Sequence, residues 1–163
     1  MTATKAYDGS TAVSSGSVIL SNLSGGQTIN TSGSITTNSA NVASYGTSDI
    51  SVSSLSLADG TGAASNYTLV GGTYSATVTQ KVLGLSGSRI YDATTTVSNS
   101  DLLTFNNIVS GESLTVTGSG TVTDQNVGTN KSVTLGTLAL ADNTASASNY
   151  NLSSATLNIT QRP

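Results

Sequence analysis

The chain has 163 residues, with 5 Lys or Arg against 8 Asp or Glu and a net charge of −3. It has no His, no Cys and one Pro, while Ser and Thr number 56 and Asn 14. These counts exclude a disulfide framework, a thiolate or imidazole metal site, a cysteine nucleophile and a Ser-His-Asp triad, and they leave no basic footprint for nucleic acid.

No apolar run approaches the roughly 18 residues of a membrane-crossing helix, so membrane insertion by this segment is not expected. The polar composition does not read as disorder. Disordered chains are rich in Pro, Glu, Lys and Gln, whereas here Thr, Val, Ile and Tyr alternate with polar residues as in short strands. No stretch carries helical periodicity. The expected fold class is all-β.

Taken in order, Tyr7-Asp8-Gly9-Ser10-Thr11 follows a short opening strand, and Val18 and Leu20 then alternate with polar neighbours. Ser24-Gly25-Gly26-Gln27 and Asn41-Val42 are further anchors, and Ile29 and Ile35 are inward candidates. Ile50 and Val52 alternate, as do Leu55 and Leu57, but the spacing of three between Val52 and Leu55 reverses the face. A bulge or a turn at Ser53-Ser54 accounts for this. Leu55-Ser56-Leu57-Ala58-Asp59 leads through a loop to Ser65-Asn66-Tyr67, and Tyr74, Ala76 and Val78 form a last strand ending at Thr79-Gln80-Lys81.

The same anchors then recur in the same order, as Tyr91-Asp92-Ala93-Thr94-Thr95, Val109-Ser110-Gly111-Glu112, Asn126-Val127, Leu138-Ala139-Leu140-Ala141-Asp142, Ser148-Asn149-Tyr150 and Thr160-Gln161-Arg162. The face reversal recurs as well, between Leu135 and Leu138 across Gly136-Thr137. Six ordered anchors mark a duplication, with units at 1–81 and 82–163. Each holds about seven short strands at turn spacings that fit an immunoglobulin-like antiparallel β-sandwich. Further inward candidates are Leu69, Phe105, Ile108, Leu114, Val116, Val122, Val127 and Leu152, and the last strand of the second unit reads Ala155, Leu157, Ile159. The connector Lys81–Arg89 carries Val82, Leu83 and Leu85, unlike a flexible Gly/Ser linker, so the two sandwiches are expected end to end and stiffly joined. Unit one lacks the counterpart of Val82-Leu83-Gly84, and the chain reads as a piece of a longer array.

Each motif has a structural and a functional reading. Tyr7-Asp8 and Tyr91-Asp92 could be a sugar-stacking ring beside a ligand carboxylate. They also fit an Asx turn, with the Asp accepting an N–H two residues on and the ring packing at the domain edge. Recurrence in both units and the exchange of Gly9 for Ala93 favour the turn. Tyr67 and Tyr150 read as tyrosine corners, with buried rings and hydroxyls bonded back to backbone. Calcium needs several closely spaced carboxylates, but Asp8, Asp49, Asp59, Asp92, Asp101, Asp124 and Asp142 stand singly. No Ser, Thr or Lys sits in a nucleophile motif. The expectation is no catalytic residue, no metal ligand and no cofactor.

Taken together, Arg89-Ile90-Tyr91-Asp92-Ala93-Thr94-Thr95, Gly111-Glu112, Asn126-Val127-Gly128-Thr129-Asn130-Lys131, Ala147-Ser148-Asn149-Tyr150 and Ile159-Thr160-Gln161-Arg162 resemble the YDG-type repeat of large bacterial surface proteins. Unit one departs at Gly26-Gln27 and at Gly46, which stands in the place of Lys131. The resemblance implies stalk modules of filamentous-haemagglutinin-like adhesins, hence an extracellular or bacterial cell-surface location and a role in adhesion or biofilm. It implies no enzyme. The expected partners are neighbouring repeats of the same chain. The alternative is a module that binds host or matrix glycans through an exposed ring such as Tyr45, and edge-strand contact with other cells is a third reading.

Overall fold

The computed structural model describes residues 1–163. It is all-β, with short 3-10 turns between strands, and it divides into two compact units, Met1–Gln80 and Lys81–Pro163. Each unit holds eight strands.

In the first unit the strands are β1 (Thr2–Ala6), β2 (Ala12–Ser14), β3 (Val18–Ile19), β4 (Ile29–Thr37), β5 (Ala43–Tyr45), β6 (Ile50–Ser51), β7 (Leu55–Asp59) and β8 (Ser75–Thr79). One sheet runs β3-β1-β8-β5, and the other has β4 between β2 and β6, with β7 also on β4. The first sheet supplies the buried Ala3, Ala76 and Val78, and the second supplies Val13, Ile35, Ile50 and Leu55.

In the second unit the strands are β9 (Lys81–Ile90), β10 (Thr96–Ser98), β11 (Thr104–Asn106), β12 (Leu114–Thr117), β13 (Ser119–Val122), β14 (Gly128–Thr134), β15 (Ala139–Asp142) and β16 (Tyr150–Thr160). Here one sheet runs β10-β13-β14-β16-β9-β11, beside the pair β12-β15. The larger sheet arises because β14 is unbroken and pairs with β13 on one side and β16 on the other. In unit one the same stretch is split by a 3-10 turn at Thr47–Asp49, so β5 belongs to one sheet and β6 to the other. Asp49 holds that corner by accepting the Gly46 N–H at 3.1 Å and the Asn38 side-chain amide at 2.9 Å. The core of the second unit gathers Leu85, Ala155, Leu157 and Ile159 against Val97, Leu102, Val122 and Val133.

The face reversal has a physical basis common to both units. Thr36 pairs with Ser51 and Gly33 with Leu55, so three steps along β4 face four on the other segment. In unit two, Thr121 pairs with Thr134 and Thr117 with Ala139, so four steps face five. One extra residue per unit is absorbed by a tight turn, closed by Leu55 N–H to Val52 O at 3.0 Å and Leu138 N–H to Leu135 O at 2.8 Å. The extra residue returns both apolar sets to the core side.

Two expectations need correction. Pairing is not antiparallel throughout: in each unit the first and last strands run parallel, β1 with β8 and β9 with β16. Alternation of apolar residues reports which face is buried and carries no information on strand direction. Val127 was expected inside but is 50% exposed, since it lies in the loop before β14. Conversely Val13, Val97 and Leu102 are fully buried: the first two lie in strands of three residues, too short to show periodicity, and Leu102 follows the 3-10 turn Asn99–Asp101.

Candidate functional site

The recurring motifs converge on turns. After β1, the Asp8 carboxylate accepts the Ser10 N–H at 2.9 Å, and after β9 Asp92 accepts the Thr94 N–H at 3.0 Å. A cation completes each turn from the strand before it. Lys5 Nζ donates to Asp8 Oδ1 at 2.6 Å, to Ser10 O at 2.5 Å and to Ala12 O at 2.9 Å. Arg89 donates to Thr94 O at 2.5 Å and to Thr96 O, with Asp92 at 3.4 Å and Asp101 at 3.7 Å. The side chains of Lys5 and Arg89 are only 10% and 7% exposed, so each cation is sunk beneath its loop. Their role escaped the sequence reading. The signal was there: a basic residue two places before each Tyr.

The rings lie deeper than a domain edge. Tyr7 is buried, and Tyr91 packs half-buried against the core of unit two. Their N–H groups extend the parallel ladders, donating to Thr79 O at 2.8 Å and Thr160 O at 2.9 Å.

Tyr67 and Tyr150 hold a second, distant turn. The Tyr67 hydroxyl accepts the Ser24 N–H at 3.1 Å and donates to Gln27 Oε1 at 2.7 Å. The Tyr150 hydroxyl accepts the Val109 N–H at 3.2 Å and donates to Glu112 Oε2. This gives the Gly-Gln and Gly-Glu anchors their purpose: they supply the acceptor for a tyrosine some 40 residues on.

A third brace differs between units. Lys131 Nζ donates to Asp124 Oδ1 at 2.6 Å and to Asn126 O at 2.8 Å. In unit one the matching carbonyl, Asn41 O, accepts the Tyr45 hydroxyl at 2.5 Å. Tyr45 is buried, so it is not the exposed stacking ring expected for glycan binding.

The remaining acids follow suit. Asp59 and Asp142 accept the Ala64 and Ala147 N–H groups, each at 2.7 Å, and Asp101 accepts the Ser98 N–H at 2.9 Å. Asp124 accepts the Asn126 N–H at 2.9 Å. Every aspartate in the chain therefore accepts a backbone N–H within five residues of itself. No group of three or more acidic side chains gathers in a way that could hold a metal ion.

The charges follow from this geometry. At Asp92 the Thr94 N–H lowers the carboxyl pKa below its ordinary value, with the Thr94 hydroxyl and the Arg89 charge adding to it. At Asp124 the Lys131 hydrogen bond is the leading cause of the same shift, followed by the Asn126 N–H. At Asp8 burial works in the opposite sense. The hydrogen bonds from Lys5 and the Ser10 N–H, with the Lys5 charge, outweigh it, and the pKa is again lowered.

The family model of the YDG domain matches residues 1–78 and, a second time, residues 74–157. The chain belongs to the YDG domain family. Its signature Tyr-Asp turn is thus a brace built three times over: carboxylate to backbone N–H, buried cation to backbone carbonyl, and tyrosine N–H to the closing strand. No curated protein and no solved structure matches the chain. Within the YDG units, the Asp8, Asp92, Tyr67 and Tyr150 anchors are occupied with folding, while Tyr91, Asn126, Val127, Gln161 and Arg162 together line one surface concavity of unit two.

Proposed function

We propose that these two YDG units are spacer modules of a secreted or cell-surface bacterial adhesin. They would stand end to end as immunoglobulin-like sandwiches and carry a binding region away from the cell in adhesion or biofilm.

The observation that carries this reading is the parallel pairing of first and last strands. β9 and β16 pair from Lys81↔Tyr150 to Ile90↔Thr160, with one register shift at Ser153. Tension on the unit pulls the start of β9 and the end of β16 in opposite directions along the strands. The ladder is then loaded in shear, and its hydrogen bonds resist together. In an antiparallel terminal pair the same tension would open them one by one. The composition agrees with an exposed mechanical role: no oxidisable Cys, few Lys or Arg for proteases, and a polar surface. The neighbouring repeats of the array are the partners this reading needs.

Single-molecule stretching tests it. The whole chain pulled from its termini should show two unfolding events, with unit two yielding at a clearly higher force than when pulled across the β9–β16 ladder. Equal forces in both directions would remove the mechanical reading.

A further inference from the structure

Between its second and third strands unit two carries one residue more than unit one. Thr104 pairs with Ser86 as Ile19 pairs with Thr2, yet five residues separate Ser98 from Thr104 and four separate Ser14 from Ile19. Strand β9 makes room for the longer connection. Gly87 stands where unit one has Ala3, and a Cβ on it would collide with Asp101 O. The 3-10 turn Asn99–Asp101 therefore packs closely on β9. Leu102 after it is fully buried, and the next residue is turned outward: Leu103 is 76% exposed.

Beside that leucine a pocket of about 440 Å³ opens between the turn, β11 and β12. Its volume falls within the roughly 300–1,000 Å³ of small-molecule sites. Leu103, Phe105, Leu114 and Val116 form an apolar wall. Phe105, the single phenylalanine of the chain, is half-buried against the core, which fixes its ring. The polar part of the lining is small and uncharged. Asn99 is held at the rim because its side-chain amide donates to Val116 O at 3.0 Å, and Ser100 and Thr115 add hydroxyls. No Lys, Arg, Asp or Glu lines the pocket. In unit one Leu20 and Thr31 stand at the positions of Phe105 and Val116, so the aromatic wall belongs to unit two alone.

We propose that this pocket binds an uncharged aromatic ring bearing one polar substituent, a phenol or a similar small molecule. The ring packs against Phe105 in the offset or edge-on arrangement that aromatic pairs favour, and Leu103 covers its outer side. Its substituent meets the Asn99 amide or the Ser100 and Thr115 hydroxyls. The lining sets the selection. An ionised ligand would give up water without meeting an opposite charge. A sugar ring would bring several hydroxyls to a wall that is mostly aliphatic and aromatic, and most of them would find no partner there. The pocket plays no part in the β9–β16 ladder on which the spacer reading rests, so either can fail alone.

The test is a titration of the whole, isotopically labelled chain with p-cresol, followed through the amide NMR shifts. Saturable shifts should gather at residues 99–105 and 114–116 and be absent from unit one. Leu103→Ser changes an exposed side chain, so the fold is not at stake, and it should bind about threefold more weakly or worse, because one apolar wall is lost. The charged p-hydroxybenzoate and the polyhydroxylic methyl glucoside should each bind about tenfold more weakly than p-cresol or worse. Four results would each overturn the proposal: no saturable shifts, shifts spread over both units, unchanged binding by Leu103→Ser, or binding of p-hydroxybenzoate or methyl glucoside as tight as that of p-cresol.

Discussion

Tyr45 and Lys131 serve the same backbone carbonyl with different chemistry. The Tyr45 hydroxyl reaches Asn41 O at 2.5 Å, and Lys131 Nζ reaches Asn126 O at 2.8 Å. The loop keeps its shape because what it needs is a donor at one point, and a phenol from the strand supplies this as well as an ammonium does. Replacing Tyr45 by Phe should destabilise unit one by about 1 kcal/mol, the usual net value of one such hydrogen bond. Residue-resolved hydrogen exchange should place the loss in unit one alone, and an unchanged unit one would refute the equivalence.

Gly33 and Gly118 sit opposite the extra residue of each bulge. Both have positive φ, 86° and 80°, and a Cβ at either would lie 2.1 Å from a turn carbonyl, Ser54 O or Thr137 O. Backbone, not a movable side chain, blocks the space. Gly33→Ala and Gly118→Ala should each cost about 2–4 kcal/mol, from the clash and the left-handed backbone combined. Urea denaturation of the two variants measures it, and a cost below about 1 kcal/mol would show that the turn can move aside.

The Tyr-Asp turn carries a small defect in unit two. Ala93 has φ 61° at the position where Gly9 has φ 77°. The left-handed region penalises a Cβ by about 1–2 kcal/mol, and glycine gives back about half of that in chain entropy. Ala93→Gly should therefore stabilise unit two by about 0.5–1 kcal/mol, and Gly9→Ala should weaken unit one by a similar amount. Thermal melts of the two variants moving in the same direction would contradict this account.

Acid should act through the same turns. The carboxyls of Asp8, Asp92 and Asp124 have folded-state pKa values below the ordinary 3.8. Unfolding then takes up protons as pH falls. The stability these groups contribute is complete above the unfolded value and is lost as pH drops through the folded ones. Stability should stay flat from neutral to about pH 4.5 and fall below it. The Asp92→Asn, Asp124→Asn double variant should start less stable and show a shallower acid limb. A limb as steep as that of the parent would place the acid sensitivity elsewhere.

Much of this organisation is legible in the sequence because it is local or repeated. Duplicated anchors reveal two units, alternation reveals strands, and the slip from Val52 to Leu55 reveals the bulge before any partner strand is known. Asp8 and Asp92 read as turn formers because the N–H groups that donate to them lie two residues away.

What the tertiary structure alone decided is long-range. The β1–β8 and β9–β16 pairs are parallel, and side-chain alternation is the same for either direction. Tyr67 and Tyr150 meet Gln27 and Glu112 across some 40 residues, a closure that no local pattern encodes. Tyr45 is buried, although its neighbours Ser44 and Gly46 are polar or small, because β5 turns that face toward the core. Local chemistry writes the turns and strands into the chain. Which strand closes beside which depends on how apolar faces share one core, and that is a property of the folded whole.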